Sequence, residues 1–412
     1  MKPLNRMATP DVIIIGAGVA GLATALTLAK QGRKVVVLEK YPTLGGRALT
    51  YKEGNLQYEI GAGRIFHAHH RVTALVKRYG LHTYPITSES NFEHEQNNFT
   101  TLFNPIAKEL LELEPKFLAM HTIKDLLPKE LHHILDMYPY RAEMEVLRAD
   151  LALPVFKPTA PMGDQADFYG VKEGYSTLVD CMAAEATKAG AIIKSRHRVK
   201  STIRTTNTMF EVTGHHGKKA TEKPFKYTAP ILIIATCRCS LSQFEVLKGK
   251  PLLKQLDTAP LCRIYAIFPK NKNGQVWFKG LPKTVTKNPL RYIIPINEES
   301  GLIMISYTDG RDTAFWKNLE DKALEDEIVR NARELWPNVD IPKPTFLKKH
   351  MWDMGCTYWV PGPYDVEAAS NAAQNPEPNL YVVGESINPT QTWIESALES
   401  AERLTKYLRG SK

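Results

Sequence analysis

Short runs of apolar, mostly β-branched residues stand out along this chain at 12–15, 34–38, 231–235 and 380–383. Within them apolar residues follow one another rather than alternating with polar ones, which suits parallel strands buried on both faces. Gly16, Gly18 and Gly21 lie between the first two runs as G-x-G-x-x-G, followed by a helical stretch that Gly32 closes. Strand, glycine turn, helix and strand form a dinucleotide-binding pattern. Gly16 is expected to allow the tight turn, Gly18 to let a pyrophosphate approach the backbone, and Gly21 to let helix pack on sheet. The helix N-terminus, from Val19 and Ala20, offers amide N–H groups and a favourable dipole to an anion. Glu39 ends the second strand where an acid can bond ribose hydroxyls, and Lys40 follows it. The first run and the helical stretch are together long enough for a membrane span. Three glycines at functional spacing and a charged, strand-like sequel argue against one.

Further on, an alternating hairpin over 51–63 leads into Gly61-Ala62-Gly63-Arg64 and then His67, His69 and His70. Those histidines have no acid or cysteine at ligand spacing, so no metal site is expected. From 71 to 160 the apolar spacing is mostly helical, with helices expected over 71–79, 104–120, 121–137 and 139–153. An amphipathic helix runs to Lys188. Strands at 191–193, 199–203, 210–212 and 225–229, with a turn region at 214–217, suggest a small antiparallel layer. Strands at 261–268, 290–296 and 302–307 and a helix over 319–335 belong to a second region.

With 412 residues, 43% of them hydrophobic and 24% charged, the chain can bury a large core and build two or three compact units. The net charge is +9, but the basic residues are scattered, with no basic run interleaved with aromatics, so nucleic-acid binding is not expected. A positive molecule does not steer cations globally, so a cationic ligand would need a local acidic or aromatic entrance. No apolar segment with a small-residue cleavage site precedes the first strand. A cytoplasmic protein without a membrane span is the expectation. Five cysteines form no disulfide framework or zinc site. Cys237-x-Cys239 is either a redox pair or structural.

Gly45-Gly46-Arg47 follows Glu39 after a short loop. Here the chain resembles the flavoprotein superfamily of amine oxidases, phytoene desaturases and protoporphyrinogen oxidase, in which G-G-R approaches the FAD phosphates. Further markers of the resemblance lie along most of the chain. The segment at Tyr169–Val179 resembles G-G-Y-x-x-L, Ala235-Thr236 matches A-T, and Gly384-Glu385 follows the last strand. Thr392-Trp393-Ile394-Glu395-Ser396-Ala397-Leu398 resembles W-x-E-G-A-L, with Ser396 in place of glycine. The phrase YIIPINEESGLIMISYTDG resembles amine-oxidase-like proteins of giant viruses.

The resemblance implies an α/β fold. A discontinuous Rossmann-like FAD-binding domain (1–80, 165–258, 346–412) would be joined to an α+β substrate-binding domain with a helical insert (81–164, 259–345). It places Gly63 and Arg64 near the flavin ring, Val199 at the adenine, Glu385 at the ribityl or pyrophosphate, and Thr392, Trp393 and Ile394 at the flavin's pyrimidine edge.

Implied chemistry is hydride transfer from the carbon beside an amine to flavin N5, imine hydrolysis, and reoxidation by O2 to give H2O2. The protein supplies orientation and a dry site. Trp393 is one expected aromatic wall, and Tyr358 or Trp359 the other. Cys356 lies near a point of covalent flavin attachment in some monoamine oxidases, but the spacing differs and a plain thiol is expected. Arg263 stands where many amine oxidases carry a lysine. Arginine does not readily lose its proton, so Arg263 is expected to organise water, to hold an acidic substrate group, or to pair with a surface acid. A desaturase or isomerase acting on an apolar substrate, and a flavin-binding protein without catalysis, are the other readings. The oligomeric state is not legible.

Overall fold

All-apolar runs without alternation become the central strands of a parallel sheet. In the computed structural model, which describes residues 9–86, 90–92, 99–157, 168–218 and 221–410, the strand Val12–Ile15 is fully buried. It pairs in parallel with Val35–Leu38 on one side and Ile231–Ile234 on the other. Leu380–Val382 and Ile192–Lys194 complete five strands at the two edges. Helices Val19–Lys30, Tyr175–Lys188 and Ile394–Gly410 pack together beside this sheet.

The chain divides into two units. One comprises Met1–Ile86, Phe168–Asp257 and Tyr364–Lys412; the other Thr87–Asp167 and Thr258–Pro363. Residues 346–363 were expected in the nucleotide-binding domain, but they fall in the second unit. The reason is sheet pairing: the strand Phe346–Trp359 lies at the edge of a six-stranded sheet, next to Leu256–Ile267.

That sheet has one apolar face. Cys262, Ile264, Ile293, Ile303 and Ile305 meet Leu324, Ile328 and Ala332 of the helix Asp321–Leu335. The opposite face carries very different side chains, described below.

Two sequence expectations are corrected. The stretch expected as three long helices over 104–153 forms one three-turn helix, Phe99–Leu110, and a series of one-turn helices such as Ile123–Leu126 and Ala149–Ala152. Pro115 opens a new one-turn helix, and Pro128 and Pro139 lie between short helices, so no long helix runs through them, whereas Pro105 is held inside Phe99–Leu110. The apolar spacing still works, because Phe103, Ile123, Leu135, Ala149 and Leu153 share one core. The strands Thr83–Ile86 and Ser90–Phe92 also fall within the block expected to be helical. Residues 214–216, expected as a turn, continue the strand Met209–His216, and the chain turns only at Gly217, whose φ is +110°.

Candidate functional site

The glycines of the first turn are not equivalent. A Cβ on Gly21 would lie 2.1 Å from the Gly16 carbonyl oxygen, and one on Gly16 would lie 2.4 Å from the Ala235 carbonyl oxygen. Gly16 also has φ +105°, which L side chains avoid. Protein packing therefore requires both glycines. Gly18 is different: its φ is −72°, and the nearest atom to an added Cβ is 3.8 Å away. Nothing in the protein demands a glycine there, so the open space suits a ligand approaching the backbone. Gly46 has similar space, with 3.7 Å to the Gly18 Cα, but its φ of +62° favours glycine by itself, while Gly45 is closed by the Ala48 carbonyl at 2.5 Å.

The helix Val19–Lys30 has no side-chain cap and no acid in its first turn. Its leading amides, with Val19 and Ala20 in the first turn, are thus presented to an anion. The G-G-R turn is pinned beside them, with Gly45 N–H donating to the Ala17 carbonyl at 2.9 Å. The Thr236 hydroxyl, next to the Gly16 turn, is buried without a hydrogen-bond partner. These features fit a dinucleotide's phosphates.

Glu39 is buried, and its carboxylate accepts from Ala17 N–H and Tyr41 N–H, both at 2.8 Å. One lone pair on each oxygen remains for a hydroxyl. Lys40 is exposed, with its ammonium over the Tyr41 ring. Val199 lies at a bulge in the strand His197–Thr206, and His197 N–H donates to the Glu39 carbonyl at 2.7 Å. The structure thus brings Val199 to within two residues of a direct contact with the Glu39 segment.

Arg47 forms an ion pair with Glu385, which is 7% exposed. Glu385 also accepts Thr392 N–H at 3.0 Å. This one carboxylate ties the G-G-R turn to the C-terminal return. Thr392 has φ +73°, an uncommon geometry for a β-branched residue. It presents Trp393 just ahead of Ile394, the first residue of the last helix. Gly384, at φ +145°, donates its N–H to Ser400.

Trp393 is half-buried. Its ring meets His69 edge-on at 4.7 Å and is parallel to Phe168 at 6.3 Å. The Arg64 guanidinium sits 4.6 Å from the Phe168 centroid and 5.6 Å from that of Trp393. Gly63 directly precedes it. Phe168 was missed from sequence; the only signal is its place one residue before the Tyr169-Gly170 marker. His69 Nδ1 accepts Phe66 N–H at 3.1 Å, so the ring is neutral, with its proton on Nε2. Burial lowers its pKa, partly offset by Glu395. Among the described residues no three His, Cys, Asp or Glu side chains cluster to hold a metal. Glu395, part of the W-x-E marker, caps another helix: its oxygens accept Arg71 N–H and Val72 N–H at 3.0 Å.

The second unit carries Arg263 and Tyr358. Arg263 pairs in register with Tyr307, and Tyr307 with Tyr292, so all three share the non-apolar face of the six-stranded sheet. The Arg263 guanidinium lies 5.3 Å from the Tyr307 ring centroid. Tyr140 meets the rings of Tyr292 and Tyr307 edge-on. Arg263 is half-buried on this aromatic face. Asp309, two residues beyond Tyr307, accepts from Arg141 N–H and Ala142 N–H, and burial raises its pKa to about 7. Tyr358 and Trp359 are both buried, at 3% and 0% exposure. Tyr358 packs on Ala142 and Ala259 with Cys356 beside it, and burial pushes its phenol well above 10. Tyr292, Tyr307 and Asp309 had no motif to mark them; only cross-strand register reveals their grouping with Arg263.

The parallel sheet and its glycine turn have the α/β arrangement that suits a bound dinucleotide. The chain belongs to the flavin-containing amine oxidoreductase family, whose model matches residues 19–153 and 138–406. An L-amino acid oxidase of Crotalus durissus cumanensis is 24% identical over 447 aligned residues, covering 94% of this chain and 88% of the relative. Flavin-containing amine oxidase B of Cavia porcellus is 33% identical over 106 residues, 24% of this chain and 20% of its own. A solved double mutant of putrescine oxidase superposes with a TM-score of 0.74 at 14% identity, covering 98% of this chain and 99% of its own. That likeness shows the α/β fold with its parallel and antiparallel sheets. Among the described residues no helix is long and apolar enough to cross a membrane.

Proposed function

We propose that this protein binds FAD and oxidises an amine that also bears a carboxylate. The observation that carries the cofactor assignment is the unfilled space over Gly18, beside uncapped helix amides and the Arg47–Glu385 pair. Gly16, Gly18, Val19, Ala20, Gly21, Gly45, Gly46 and Arg47 would hold the pyrophosphate, Glu39 and Lys40 the adenosine ribose end, and Val199 the adenine. Gly63, Arg64, Gly384, Glu385, Thr392, Trp393 and Ile394 would line the flavin end.

Bound flavin supplies a hydride acceptor and returns its electrons to O2 as H2O2. The residues do the rest. Trp393 gives the amine an aromatic face and excludes water. The amides at the start of the helix Ile394–Gly410 favour negative charge beside them. Arg263 holds the substrate carboxylate, a task that suits a fixed, always-charged fork. Tyr358, at 3% exposure and packed on Ala142 and Ala259, supports the core of the second unit rather than forming a substrate wall. Two supports favour the carboxylate: Arg263 stands among aromatic side chains on a sheet face, and L-amino acid oxidases align over most of the chain.

The test is anaerobic mixing of flavin-loaded protein with a panel of amino acids, polyamines and aryl-amines, followed at the flavin absorbance. Bleaching by at least one amino acid, faster than by its decarboxylated amine, is expected. Bleaching by simple amines alone would reject the carboxylate role of Arg263. No bleaching by any of them would reject amine oxidation and favour a desaturase or a non-catalytic flavin protein.

A further inference from the structure

The chain that leaves the central strand Ile231–Ile234 carries two thiols within three residues. Cys237 and Cys239 flank Arg238 and are both half-buried, with Sγ atoms 3.0 Å apart. Each Sγ is also 3.7 Å from the Ser240 hydroxyl. Arg238 is anchored away from them, donating to the Leu253 and Leu256 carbonyls. Arg47 acts on Cys237 and Lys40 on Cys239 as nearby positive charges. We propose that Cys237 and Cys239 form a peroxide-reactive dithiol, with Cys237 the attacking sulfur and Cys239 the one that closes a disulfide.

The two thiols differ in the way this division of labour requires. The hydrogen bond from Cys239 pulls the Cys237 thiol down to about 5, with Ser240 and Arg47 adding to it against the effect of burial. That same bond, with burial, pushes Cys239 upward. Cys237 is therefore the thiol that gives up its proton first, and Cys239 the one that keeps it. Cys262 makes the contrast plain: buried and single, it is pushed up to about 12.

The chemistry balances. The Cys237 thiolate attacks one oxygen of a hydroperoxide and the O–O bond breaks. With hydrogen peroxide the departing hydroxide takes up the proton that Cys237 released on ionising, giving water and a sulfenic acid. Cys239 loses its proton as its sulfur attacks Cys237 Sγ. The S–O bond breaks, and hydroxide leaves with that proton as a second water. Two thiols and one hydrogen peroxide give one disulfide and two waters, with two electrons passing from sulfur to peroxide. Closing the S–S bond needs an approach of about 1 Å, from the present separation to the ~2.05 Å of a disulfide. Hydrogen peroxide is what the proposed oxidase reaction would release. The dithiol chemistry does not rest on that reading, because peroxide can be added.

The test uses the intact protein, treated at pH 7 with a few equivalents of hydrogen peroxide, quenched with catalase and alkylated after denaturation. Trypsin cuts after Arg238, so fragments 227–238 and 239–248 stay joined only through a Cys237–Cys239 disulfide. The expected result is the joined pair, two hydrogens lighter than the free fragments, with Cys262 and Cys356 still alkylated. Its rate should be nearly flat from pH 6 to 8, where an ordinary thiol would quicken about 100-fold. Cys239→Ser should leave Cys237 as a sulfenic acid that dimedone traps. The proposal fails if both thiols remain alkylated, or if Cys237 advances to sulfinic acid in the wild type while Cys239 stays free.

Discussion

The two units carry their chemistry in opposite ways. In the first, the turn at Gly16 to Gly21 is built from neighbours in sequence, and each glycine has a reason that can be measured: carbonyls at 2.1 and 2.4 Å for Gly21 and Gly16, open space for Gly18. In the second, Arg263, Tyr307 and Tyr292 come from three strands and meet only through register. In such a local motif sterics fix Gly16 and Gly21 but leave Gly18 open. A face assembled by register is fixed by the sheet beneath it and tolerates exchange of its side chains.

That contrast can be broken by mutation. The largest effect should come from Gly21→Ala. Its Cβ has backbone to displace, so we expect a loss of about 3 kcal/mol in a denaturant melt together with loss of bound flavin. A melt within about 0.5 kcal/mol of wild type would mean the helix shifts freely and the steric account is wrong. Arg263→Gln should behave in the reverse way. Its stacking on Tyr307 contributes on the order of 1 kcal/mol, so the fold should survive. If Arg263 holds a substrate carboxylate, KM for an amino acid should rise about 10- to 100-fold, as for loss of a charged hydrogen bond, with kcat changed less. An unchanged KM removes Arg263 from substrate binding.

The smallest effect separates the two units by pH. Burial pushes His350 of the second unit down to about 4, with Lys348 and Arg263 adding to it. His69 of the first unit is lowered mainly by burial. Both are neutral in the folded protein while the unfolded chain takes up protons near pH 6.5. Stability from these groups is complete above that value and falls as pH drops from about 6.5 toward the folded pKa. His350→Gln should flatten the part of this slope that reaches toward pH 4 and leave stability above pH 7 almost unchanged. An unaltered slope would show that His350 does not contribute to it.

The same contrast explains what was legible in the sequence. Val12–Ile15, the glycine turn and Glu39 are contiguous, and a single local pattern dictates them. Arg47, Glu385 and Trp393 became readable through motif resemblance, though nothing in the sequence announced that Glu385 would bind both Arg47 and the strained Thr392 amide. The helical block differs because periodicity reports burial but not continuity: Ile123, Leu135 and Leu153 share one core, while Pro115, Pro128 and Pro139 mark the breaks between short helices. Strand 346–359 was assigned to the wrong unit because edge pairing leaves no composition signal. Asp309 and Tyr307 were invisible for the same reason as the aromatic face itself, since cross-strand neighbours are far apart in the chain.

The central claim is that Gly18 is a glycine for the sake of a bound dinucleotide and not for the fold. Gly18→Ala tests it in one preparation, by thermal melting of the flavin-free protein and by titration with FAD. The account predicts an unchanged melt, since no atom lies within 3.8 Å of the added methyl, and FAD affinity at least tenfold weaker. A destabilised apoprotein, or wild-type affinity for FAD, would contradict it.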